Sequence, residues 1–118
     1  MLQSEYFKSA TFFLPTSKGI ELIDINTIVR IQSISNYSKL YFSDGRTLVV
    51  AKVLRWFEEG LSLNQFIRVH RTHLVNKKFI CRYIKEEGGK VKMVNGDRVD
   101  VSRRKRTSVL QCLYKSAV

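Results

Sequence analysis

The chain has 118 residues, 44% of them hydrophobic, which is enough for one domain with its own core. Its formal net charge of +11 argues for an anionic partner or surface. With only two cysteines, Cys81 and Cys112, and no apolar run long enough to cross a bilayer, it is neither a disulfide scaffold nor a helical membrane protein.

Residues 1–17 read as a peripheral N-terminal segment, from which Phe12, Phe13 and Leu14 can pack onto a domain spanning 18–118. The start lacks a charged stretch followed by an apolar core, so it is not a secretion signal, and a cytoplasmic location follows by elimination. Strands are expected at Ile20–Asp24 and Ile28–Ile34. Lys39–Ser43 then leads through Asp44-Gly45 into Arg46–Val50. In Ala51–Gly60, Val53, Leu54 and Phe57 stand at helical spacing, with Leu61 continuing the pattern and Gly60 suited to the end. From Phe66 the pattern alternates: Ile67 and Val69 face one way, Arg68 and His70 the other. Arg71 follows where that strand ends, and Lys77 and Lys78 follow Asn76. Cys81–Lys85, Val91–Val94 and Arg98–Val101 form a last run of strands, separated by Gly88-Gly89 and Asn95-Gly96.

Asp-Gly, Gly-Gly and Asn-Gly suit tight turns with positive φ, which join antiparallel strands. Antiparallel β structure is therefore the expected fold class. A final helix is expected over Arg103–Lys115, with Val109, Leu110, Leu113 and Tyr114 on one side. Two adjacent helices joined by a short turn are missing, so the pattern is not a helix-turn-helix.

The charge is unevenly spread. Residues 1–65 carry 7 Lys and Arg against 6 Asp and Glu, whereas residues 66–106 carry 13 against 4. A solvated basic surface explains this as readily as an anionic ligand does. The run Arg103-Arg104-Lys105-Arg106 behind Ser102 is more pointed. Ser102 is placed to cap the last helix, and a helix start already carries partial positive charge. Four cations there repel that charge unless an anion such as phosphate relieves it. His70 and His73 lack the further ligands of a metal site, and no cofactor is expected. The sequence holds no nucleophile–base pair, no paired catalytic carboxylates and no phosphate-cradling glycine loop, which argues against an enzyme.

At this point a family resemblance becomes specific. Phe66 to Asn76, the turn at Asn95-Gly96 and Val101-Ser102-Arg103-Arg104 resemble the LytTR family of bacterial DNA-binding domains. So does the stretch from Ile31 to Leu40, followed by Asp44-Gly45. The resemblance covers residues 18–114. It implies an elongated, mainly β fold of about ten short, mostly antiparallel strands with two short helices. It also implies a transcriptional regulator that binds double-stranded DNA through loops entering the major groove, with two copies on a direct repeat. Most such domains stand behind a receiver domain in a response regulator of a two-component system. This chain has no room for one, so it is a free-standing domain or part of a longer chain.

Carried over position by position, the resemblance implies base contacts from Tyr37, Arg71 and Arg104. Arginine suits that role, since it can pair with guanine O6 and N7 together. Asn36, Lys39, His70, Asn76, Lys77, Lys78, Ser102, Arg103 and Lys105 are the candidates for backbone contacts, which fix register without reading sequence. Arg106 is expected to be solvated. Blander readings stand beside these: Tyr37 covering the core, His70 packing between strands, and the cations of Phe66–Asn76 keeping a strand edge soluble. An RNA-binding module and a protein-interaction module remain the rival functions. Neither a membrane nor a small-molecule substrate is expected as a partner.

Overall fold

Alternating side chains and tight turns build ten strands in the computed structural model, which describes residues 10–61 and 65–116. The strands are β1 (Thr11–Thr16), β2 (Gly19–Asp24), β3 (Ile28–Ile34), β4 (Tyr37–Phe42) and β5 (Thr47–Val50). After helix α1 (Leu54–Gly60) come β6 (Phe66–His70), β7 (His73–Asn76), β8 (Ile80–Ile84), β9 (Lys90–Met93) and β10 (Arg98–Asp100). Helix α2 (Arg106–Ser116) closes the order. Every strand pairing among the described residues is antiparallel, as expected.

The central sheet runs β5-β4-β3-β7-β6, and its two faces are buried separately. Neighbouring residues on one strand point to opposite faces, so Leu74 joins one core and Val75 the other. The first core packs Ile31, Leu40 and Leu74 against Phe12, Leu14 and Ile23 of the β1-β2 ribbon and against Phe57 of α1. The second packs Val29, Val69 and Val75 against Val91, Met93 and Val99 of the β8-β9-β10 sheet and Val109 of α2. Stacking three layers in this way gives an elongated body, 42 × 27 × 26 Å.

Turn chemistry sets the registers. At the β9-β10 turn, Gly96 has φ +95° and the Asn95 side chain accepts from the Asp97 amide at 3.0 Å, so this hairpin needs both residues. The β3-β4 turn is only Ser35-Asn36, and Ser35 takes φ +56°, the one non-glycine residue with positive φ among those described. Strand β4 therefore starts at Tyr37, two residues earlier than the sequence suggests.

Several expectations change. Within the segment expected to be peripheral, Thr11–Thr16 is a full strand, and its alternation sends Phe12 and Leu14 into the core while Phe13 stays 56% exposed. Pro15 is tolerated there because, among the described residues, the ribbon has two strands and no ladder beyond it. Helix α1 begins at Leu54 rather than Ala51, with Val53 at a cap position that makes no side-chain hydrogen bond. Among the described residues, no helix is long and apolar enough to cross a membrane.

Candidate nucleic-acid interface

Two antiparallel pairings bring the candidate loops to one end of the central sheet. Because Gln32 on β3 faces His73 on β7, the β3-β4 turn and the β6-β7 turn lie side by side. A hydrogen bond from the Ser33 amide to the Thr72 carbonyl, 2.9 Å, joins them. The third loop is tied in by the Ser102 amide, which donates to the Val69 carbonyl on β6 at 2.9 Å.

Arg71 and Arg104 then line the same cleft, a space of about 580 Å³. Arg68, His70, Ser102 and Lys105 contribute to its walls, together with Glu58 of α1 and Ser108 of α2. Both Arg71 and Arg104 are exposed, and neither forms an ion pair among the described residues. Arg103 is exposed as well, and Lys105 is half-buried.

Tyr37 is not part of that cleft. It opens β4 opposite Ile34, and it is 50% exposed, so it does not act as a lid on the core. Asn36 is exposed in the turn beside it. Lys39 lies on the same face of β4, with its Nζ 5.1 Å from the Tyr41 ring. On that face the Arg30 guanidinium stacks on Tyr41 at 3.6 Å and pairs with Asp97 at 2.9 Å. This network braces the Asn95-Gly96 hairpin against the central sheet.

His70 takes the packed role as well as a place in the cleft wall. Its Nδ1 accepts the Thr72 amide hydrogen at 3.2 Å and lies 2.8 Å from the Thr72 hydroxyl, which fixes the turn that carries Arg71. Its ring stands 5.5 Å from that of His73. Burial pushes the His73 imidazole down to about 4, and the charge of Arg30 and the neighbouring His70 push the same way.

The structure places four groups of residues otherwise than expected. Asn76 is 0% exposed, so it cannot touch a phosphate. Its amide donates to the Ile28 carbonyl at 2.9 Å, and its side-chain oxygen accepts from the Lys78 amide at 3.0 Å. Lys77 and Lys78 follow in a 3-10 turn at the opposite end of β7 from Arg71, so they are not brought to the cleft. Ser102 occupies the cap position, but its side chain makes no capping bond. Instead its carbonyl accepts from the Lys105 amide at 2.9 Å, and Arg103–Lys105 form a 3-10 turn ahead of α2. Arg106 is packed rather than solvated: a Cβ at Gly89 would lie 3.2 Å from its Nε and 2.7 Å from the Tyr83 hydroxyl. That Nε is buried without a partner among the described residues.

Sequence reasoning missed the structural part played by Arg68, and Glu58 and Ser108 altogether. Arg68 shares the alternating face of His70, which was a usable signal. Glu58 gave none, because its contact with Arg68 joins a helix to a strand.

The description of the LytTr DNA-binding domain as a family matches residues 18–113. The chain belongs to the LytTR family of DNA-binding domains. A solved LytTr DNA-binding domain from Bacillus cereus, taken from a protein described as a methyl-accepting/DNA response regulator, has the same fold. The two share 22% identity with a TM-score of 0.77, over 89% of this chain and 97% of that one. No curated protein matches the chain significantly. The LytTR assignment accounts for the β-rich architecture.

Proposed function

We propose that this LytTR domain is a sequence-specific regulator of transcription that reads the major groove of duplex DNA through loops. The observation that carries this reading is the cleft shared by Arg71 and Arg104, two exposed arginines without ion-pair partners among the described residues, on a chain of net charge +11. Each can place a fork of N–H donors against a guanine edge. Tyr37 is the third base-contacting residue, through its hydroxyl or by packing on a thymine methyl. Asn36, Lys39, His70, Ser102, Arg103 and Lys105 hold the phosphates around them.

Strand spacing sets the footprint. From β4 to β6, across β3 and β7, is about 14 Å at the usual spacing of strands in a sheet. Tyr37, on β4, therefore adds contacts to one side of those made by the arginine cleft. Two copies on a direct repeat extend the site, and a bacterial two-component setting with a receiver domain in a longer chain suits the family.

Competition tests the reading. A labelled duplex should be displaced by unlabelled duplex far better than by single-stranded RNA, and retention should fall steeply with salt. Equal displacement by RNA would support an RNA-binding module instead. Retention that ignores salt would point to protein interaction.

A further inference from the structure

The geometry points to Arg68 as a positioning residue for Arg71, with Glu58 as its anchor; this rests on the DNA-reading role given to Arg71. The β6-β7 ladder shifts register between Arg68 and His70, just where the strand approaches its turn. At that break the Arg68 side chain folds back onto the turn it precedes. Its Nε donates to the His70 carbonyl at 2.9 Å, and its Nη2 donates to the Arg71 carbonyl at 2.5 Å. The remaining terminal nitrogen, Nη1, pairs with the Glu58 carboxylate on α1.

All three guanidinium nitrogens are thus engaged inside the protein, and the side chain is only 19% exposed. A cation in that state is a poor phosphate ligand. It is well suited to a different task, because the guanidinium fork is planar and rigid and grips two carbonyls at a fixed separation. Gripping the carbonyls of the two peptide groups that flank Arg71 fixes the direction in which Arg71 leaves the backbone. An arginine held this way loses less freedom when it meets a base, so more of its binding energy becomes discrimination. Glu58 keeps the fork from swinging out toward the duplex, and it belongs to the wall of the same cleft.

A double-mutant cycle tests the assignment. Discrimination is the ratio of affinities for the selected duplex and for one altered at the Arg71 base pair. Arg68→Met keeps the packing of the stem and should lower this ratio about tenfold, within the range of one bidentate contact. In an Arg71→Ala background the same change should lower it no further. Arg68→Lys, which keeps the charge without the fork, should recover little. Losses that multiply in the double variant, or full recovery by lysine, would overturn the assignment, since Arg68 would then act on DNA as a charge. Backbone 15N order parameters provide a readout without DNA. Those of Arg71 and Thr72 should fall in Arg68→Met and, to a smaller extent, in Glu58→Gln. Unchanged order parameters in both would equally overturn it. If Arg71→Ala alone leaves base preference intact, the DNA-reading role fails, and the order parameters still decide whether Arg68 shapes the turn.

Discussion

Asn76 puts its amide to work on the backbone, and that decides how its loss should look. Asn76→Ala removes the donor to the Ile28 carbonyl and the acceptor that caps the following turn. Leaving a buried carbonyl unsatisfied costs about 1–3 kcal/mol, so the melting temperature should drop while the preferred DNA sequence stays the same. His73 adds a pH dependence at the same scale. Its imidazole titrates at an ordinary 6.5 in the unfolded chain and at about 4 in the fold. Between those values the unfolded state binds more protons, so stability falls as pH is lowered through that window. His73→Asn should flatten the fall, as read by urea denaturation at several pH values. These residues also mark where the sequence stops being informative. A polar residue after an alternating run looks the same whether it faces water or a carbonyl 48 residues away. Arg106 is a similar case, since its neighbours Tyr83, Gly88 and Gly89 come from an earlier hairpin.

Elements were legible where the signal was local. Asn95-Gly96 and Asp44-Gly45 mark their hairpins because the turns demand those residues, and the family resemblance covers the whole sheet. Strand β1 was not legible as a strand: Pro15 interrupts its pattern, and its partner β2 supplies the ladder that makes it one. Leu14→Ala tests its place in the core. Truncating a fully buried leucine should cost about 2–5 kcal/mol in denaturant unfolding, whereas Phe13→Ser on the outer face should change stability by less than about 0.5 kcal/mol. Gly89→Ala probes the other sheet. It combines a φ of +95° with an approach of 2.7 Å to the Tyr83 hydroxyl. Strain of that kind costs about 1–3 kcal/mol, and it should also displace Arg106 from beneath the turn.

The whole molecule divides its charge by position. The basic half of the chain supplies both ends of β7, but only one end carries the loops that the fold gathers. Arg103→Ala should lower the slope of binding against salt by about 1, for the loss of one phosphate contact. Lys78→Ala, at the far end of β7, should leave that slope unchanged. Composition revealed the size of the positive field, and only the strand register revealed which cations share a surface. The central claim is that Arg71 and Arg104 read separate bases, and selection of bound sites from random duplex DNA tests it most directly. Wild-type protein should select one motif, and Arg71→Ala and Arg104→Ala should each lose preference at a different base pair while keeping the rest. Motifs left unchanged by both substitutions would contradict the account.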